Sequence, residues 1–185
     1  MELIRQVLHD WELWSAELLE SHLSYPVLAY FRSHHDNQSW LAAITSILDT
    51  SAFVMSYMEG SCARQAMLTF AMARHAVVDI SLIFGRSPVK PKRDRLTPEE
   101  LTELRTVLAS AGLPLREGDE AEKELTELRQ MYEPYVSALS HHFRLAVPPW
   151  VLESSRKDNW ETSVWERRTS FQMTERPGEE EDEHF

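Results

Sequence analysis

The chain has 185 residues, 43% of them hydrophobic, with 6 Trp and only 5 Gly. That is enough apolar material for one packed domain, and it disfavours a strand-rich fold. The formal net charge of −11 excludes a general nucleic-acid binder, which needs a basic face.

The charge is unevenly spread. Residues 175 to 185 hold six acidic side chains and one Arg, so this end carries −5 of the total. The single cysteine, Cys62, rules out an internal disulfide and fits a reducing cytoplasm. The opening MELIRQVLHDWELW lacks a basic stretch followed by an apolar run, so no secretory leader is expected. No segment approaches about 18 uninterrupted apolar residues, so the chain as given is expected to be soluble or peripheral.

Residues 2 to about 22 are expected to form a first helix. Ile4, Val7, Leu8, Trp11, Trp14 and Leu18 recur at intervals of three and four and make one apolar stripe. Pro26 interrupts it, biases Tyr25 away from helix, and can open a short second helix through Tyr30 and Phe31. Ser33 to Asn37 (SHHDN) is a turn signal. Asn37 or Ser39 can cap a third helix running to about Glu59, where Gly60 ends it. A fourth helix follows from about Cys62 to Phe84, stopped by Gly85. So short a connection makes the third and fourth helices antiparallel neighbours.

Residues 85 to 96 (GRSPVKPKRDRL) read as a linker with two prolines and five basic residues. Thr97-Pro98-Glu99-Glu100 is a strong helix start. Thr97 caps, Pro98 takes the first helical position and Glu100 completes a capping box. This fifth helix is expected to end at Gly112. Asp119 with Glu122 looks like a second capping box. It opens a sixth helix with Leu125, Leu128, Tyr132, Tyr135, Leu139 and Phe143 on one face and a kink at Pro134. Pro148-Pro149 breaks the chain. Val151 to Trp165 is either a short helix or an extended strap held by Trp150, Trp160 and Trp165. The expected organisation is an all-α helical bundle of about six helices over residues 1–166, followed by a disordered acidic tail over 167–185.

Charge on the apolar third and fourth helices is the chief candidate for chemistry. Asp49, Arg64, Arg74, His75 and Asp79 all lie there, and buried charge must find partners. At 100° per residue Arg64, His75 and Asp79 fall within about 60° of one another. If the two helices turn their stripes together, Asp49 can pair with Arg64, Arg74 or His75. The cluster Asp49, Arg64, His75 and Asp79 is then either a site for a small molecule, ion or proton, or a structural ion-pair network that sets helix register.

Other chemistry is weakly supported. His34-His35-Asp36, His141-His142 and Glu17, Glu20 and His22 lack the Glu-x-x-His spacing of a di-metal bundle, so no metal and no cofactor is expected. Cys62 lies beside Arg64, which can lower a thiol pKa, yet no nucleophile elbow surrounds it. There is no P-loop and no dinucleotide fingerprint, so an enzyme is not expected. The basic linker, with Arg86, Lys90, Lys92, Arg93 and Arg95, can touch anionic lipid headgroups or stand as a solvated loop.

The wording of three long stretches is distinctive: WELWSAELLESHLSYPVLAYFRSHHDNQSWLAAITSILDTSA from Trp11 to Ala52, RQAMLTFAMARHAVVDISLIF from Arg64 to Phe84, and VPPWVLESSRKDNWETSVW from Val147 to Trp165. They resemble the cytosolic region after the pore in bacterial two-transmembrane, pore-loop proteins, the potassium channel or two-pore-domain-like ion channel family. The family's two membrane helices and TVGYG-like filter have no counterpart here, so no pore residue carries over and this chain alone conducts nothing. The resemblance implies the cytosolic part alone: a cytoplasmic regulatory or assembly domain whose partners are copies of itself or a pore domain at the inner membrane. The alternative is a freestanding soluble helical ligand-binding protein.

Overall fold

The computed structural model describes residues 1–31 and 39–151. Within them lie α1 (Glu2–Ser24), a 3-10 turn (Pro26–Tyr30), α2 (Trp40–Tyr57), α3 (Gly60–Ile83), α4 (Pro98–Ser110) and α5 (Asp119–Phe143). Among the described residues the chain is all-α. Met1–Val151 form one compact unit. The expected six helices are five α-helices and one 3-10 turn. The SHHDN turn, the segment from Leu152 to Trp165 and the acidic tail lie outside the described residues.

α3 is the central helix and packs on α1, α2 and α5, while α2 also packs on α5. The stripe of α1 supplies Leu8, Leu18 and Leu19 to the core, with Ile4, Trp11 and Trp14 packed at its margin. Thr69 of α3 donates its hydroxyl to the Leu8 carbonyl at 2.8 Å, which draws the two helices close. Two residues, Met58 and Glu59, join α2 to α3, so these helices run antiparallel in contact, as expected. By length and a mean hydropathy of 1.5, α3 is apolar enough to cross a membrane. In this fold 44% of that stretch is buried, with Ala66, Phe70, Ala73, Val77 and Ile80 in the core, while Met67, Leu68, Leu82 and Ile83 are exposed.

The helix ends follow from local chemistry. Ser39 caps α2, its hydroxyl accepting from the Ala42 amide at 3.0 Å. The capping box of α4 is complete. The Glu100 amide donates to the Thr97 hydroxyl at 3.2 Å, and the Thr97 amide donates to the Glu100 carboxylate at 2.7 Å. Leu96 before the cap and Leu101 after it are both buried in the same core, the arrangement of a hydrophobic staple. Gly85 and Gly112 follow α3 and α4 at φ +61° and +82°, where a side chain is strained. At both ends two backbone bonds (Arg86 to Ser81 and Gly85 to Leu82; Leu113 to Leu108 and Gly112 to Ala109) satisfy the last carbonyls.

The second expected box is absent. Gly118 is the N-cap of α5 and no side chain caps it, because Asp119 already lies inside the first turn. Asp119, Glu120 and Glu122 there meet the positive end of the helix dipole instead. α5 runs on through Pro134, and the Val89 amide of the linker donates to the Pro134 carbonyl at 2.9 Å. That bond lays the linker along α5.

Thr97→Ala is expected to cost about 1 kcal/mol in urea denaturation. Thr106→Ala, on the exposed face of the same helix, is expected to stay within about 0.5 kcal/mol. Equal effects would show that the box does not hold α4.

Candidate functional site

The buried charge of this molecule gathers around Asp49. α2 holds Asp49 6% exposed, on the side that meets α5. Arg95 of the linker reaches in and places its guanidinium on the Asp49 carboxylate at 2.5 Å and 3.2 Å. Tyr132 of α5 donates its hydroxyl to the same carboxylate at 2.5 Å. Arg95 also donates to Glu133 at 3.4 Å and to the Pro148 carbonyl at 2.9 Å. One turn before Glu133 on α5, Arg129 donates to Glu133 at 3.0 Å and to Asp94, and its guanidinium lies 5.7 Å from the centre of the Trp150 ring. Asp94 in turn accepts from the Leu96 amide at 3.0 Å, just ahead of the α4 cap. One polar network therefore ties α2, the linker, α5 and the segment after α5.

Its protonation follows from burial. Loss of water raises the Asp49 carboxyl above its ordinary range, and Arg95 and Tyr132 offset only part of that. Burial and the adjacent Asp49 push the Tyr132 hydroxyl well above the tyrosine range, so it remains a donor. Burial works upward on Asp94 too, but the hydrogen bond from Arg129 and the Leu96 amide outweigh it, and its carboxyl is lowered.

The expected cluster of Asp49, Arg64, His75 and Asp79 is not assembled. Asp49 pairs with Arg95, not with α3. His75 and Asp79 do meet, at 3.0 Å one turn apart, but as a surface pair with the His75 side chain 61% exposed. Such a pair contributes about 0–1 kcal/mol. Arg64 is exposed. It shares a helical face with His75, but eleven residues separate them, about 16 Å along the axis. Arg74 donates to the Met131 carbonyl at 3.1 Å.

Sequence reasoning missed Arg95, Tyr132, Glu133, Arg129 and Asp94 as a group. The signal present was the need of a buried Asp49 for a cation, and nothing distinguished Arg95 among five basic linker residues. Arg95 is correspondingly withdrawn from the linker's lipid-facing set, being 14% exposed and engaged inside.

The remaining candidates are dispersed. Among the described residues no three His, Cys, Asp or Glu side chains converge as a metal set. His22 is buried against Trp40, with its Nδ1 donating to the Leu18 carbonyl at 2.8 Å, and burial holds its imidazole below the ordinary range. Cys62 is buried with its thiol on the Met1 carbonyl at 3.2 Å.

A second feature is lined in part by Phe70. Met55, Met67, Phe70, Val78, Leu128 and Met131 line an open cavity of about 320 Å3 between α3 and α5, with Arg74, His75 and Asp79 among its lining residues. Apolar walls with a few convergent polar groups are what a small-molecule site offers, and methionines adapt to irregular ligands. Phe70 is shared between this groove and the core. Its ring meets Tyr132 edge-on at 5.9 Å, and Tyr132 bonds Asp49. No family model, curated protein or solved structure matches the chain.

Two of the network's acids, Asp49 and Asp94, are expected to give stability opposite pH dependences. The folded-state pKa of Asp49 is raised above 3.8, so the native state holds its proton more tightly than the unfolded chain. That contribution is fully present below about pH 3.8 and lost as pH rises through the folded-state value. Asp94 is lowered below 3.8, so its contribution is present above about pH 3.8 and lost as pH falls through the folded-state value. Urea denaturation across this range should show Asp49→Asn removing a component that declines with rising pH. Asp94→Asn should remove one that declines with falling pH. Slopes of the same sign would contradict this assignment.

Proposed function

We propose that this chain is a cytoplasmic regulatory or assembly domain of the kind found after the pore in bacterial potassium-type channels, and that it senses a small ligand in the α3–α5 groove. The observation that carries the sensing role is the chain of contacts from groove to network. Phe70 lines the cavity, meets Tyr132, and Tyr132 bonds the buried Asp49. A ligand that displaces Phe70 changes the environment of the one hydroxyl holding Asp49 apart from its arginine. α3 is also the helix on which α1 rests, so movement of α3 reaches the N-terminal helix, where the resemblance puts the pore. A ligand shifts such an equilibrium only by binding its two states unequally. The channel relation rests on the wording of Trp11 to Ala52, Arg64 to Phe84 and Val147 to Trp165.

A second reading is a freestanding helical ligand-binding protein. The observation favouring it is that the apolar stripe of α1 is occupied by its own α3, with Leu8, Leu18 and Leu19 buried.

The DNA directly upstream of the Met1 codon separates the two. An in-frame segment encoding two apolar spans and a TVGYG-like loop is the expected outcome. A stop codon there, with no pore gene alongside, overturns the channel reading and leaves the binding protein. Where the pore is present, Tyr132→Phe is expected to shift potassium flux in liposomes by about 5-fold or more, the lower end of ordinary coupling. Unchanged flux from a variant that folds normally would remove the network from gating.

A further inference from the structure

Among the described residues, a group of exposed apolar side chains lies where the ends of α1, α3 and α5 meet. Of the fifteen large apolar side chains exposed among the described residues, seven belong to two short segments. Leu23, Tyr25, Val27 and Phe31 surround the 3-10 turn, and Leu82 and Ile83 close α3. The seventh, Tyr30, joins the two segments. Its ring lies edge-on to Phe84 at 5.7 Å and to Phe143 at 5.1 Å, so the ends of α1, α3 and α5 meet around it. Apolar side chains grouped at one end in this way mark an interaction site.

The charge at its rim is basic, against the sign of the whole chain. Residues 80 to 93 (ISLIFGRSPVKPKR) contain no acid and four basic residues, and the first of these, Arg86, is exposed immediately beyond the apolar pair. Arg144 is exposed next to Phe143. Lys90, Lys92 and Arg93 follow on the linker as it turns back along α5. The nearest acid on α1 is Glu20, a turn before Leu23.

We infer that this end of the bundle docks on the surface of an anionic lipid bilayer, with the 3-10 turn and the end of α3 seated at the headgroup boundary and Arg86 and Arg144 on the lipid phosphates. Three features favour a bilayer over a second copy. Tyr25 and Tyr30 carry an apolar body and a polar tip, which suits a boundary with one dry and one wet side. The basic rim complements anionic headgroups. A two-fold pairing of copies through the same patch would bring Arg86 and Arg144 of each copy against their own like charge. This surface lies at the far end of α1 from Met1, about 33 Å from where the channel reading puts the pore, so it belongs with the freestanding reading; it is also separate from the α3–α5 groove and does not depend on what that groove binds.

The test is sedimentation of the purified full chain with phosphatidylcholine vesicles, with and without about one-third phosphatidylserine. Binding is expected to the anionic vesicles, to weaken at about 0.5 M salt, and to be much poorer on neutral ones. Arg86→Gln with Arg144→Gly should weaken it roughly 25-fold, about 5-fold per charge. Arg144 already holds a left-handed backbone that glycine adopts freely, so that change leaves the fold intact. Phe31→Ser with Leu82→Ser, both exposed in the free protein, should weaken it about tenfold or more. No binding to either vesicle, or equal binding to both, overturns the inference. So does a dimer in solution that Leu82→Ser dissociates, since the patch would then be covered by a second copy.

Discussion

The rest of this molecule is arranged around one buried carboxylate. Asp49 sits on a helix with thirteen buried positions, and water cannot reach it to solvate the charge. An ion in that position is tolerated only where a cation and further donors surround it. Arg95 and Tyr132 supply them, and each comes from a different element. To deliver Arg95, the linker after α3 must run back along α5, and its Val89 amide fastens it there. Delivering Arg95 also sets where Asp94 falls, and so where α4 begins two residues after Leu96. The network thus does for the bundle what short loops do elsewhere: it decides which element lies against which. Replacing a whole buried ion pair by apolar groups is often neutral in energy, so uniqueness of the arrangement is the better measure of its worth.

The same residue gives the groove its significance. Tyr132 has the Asp49 carboxylate at its hydroxyl and the Phe70 ring at its side. Phe70 is 4% exposed, yet it lines the cavity whose outer walls include Met67 and Met131, both more than 40% exposed. A flexible, methionine-walled opening therefore stands one aromatic contact away from the most polar part of the core. The His75–Asp79 pair at the groove is solvent-screened and contributes little to stability.

Much of the fold was legible in the sequence because its determinants are local. Thr97-Pro98-Glu99-Glu100 specifies a helix start by its own hydrogen bonds, and the box forms as written. Ser39 caps α2, and Gly85 and Gly112 end helices because their backbones enter a left-handed region that strains most side chains. Asp119 shows where local reading stops. Its spacing to Glu122 fits a box, but the chain enters the helix one residue earlier, at Gly118. The candidate site failed for a related reason. Angular position on a helix wheel put Arg64 beside His75, while the axial distance between them separates them. The partner of Asp49 lies 46 positions along the chain, on an irregular segment with no periodicity to project. Only the requirement for a cation was readable, not its identity.

The measurement that bears most directly on this account is a double-mutant cycle joining Asp49→Ala and Arg95→Met, read by urea denaturation at neutral pH. Each single change breaks the buried pair and should cost about 3–5 kcal/mol, while the pair removed together should cost far less than the two added, leaving a coupling of about 2 kcal/mol or more. Additive losses, within about 0.5 kcal/mol, would mean that the two groups do not hold one another and that the bundle is organised by something else.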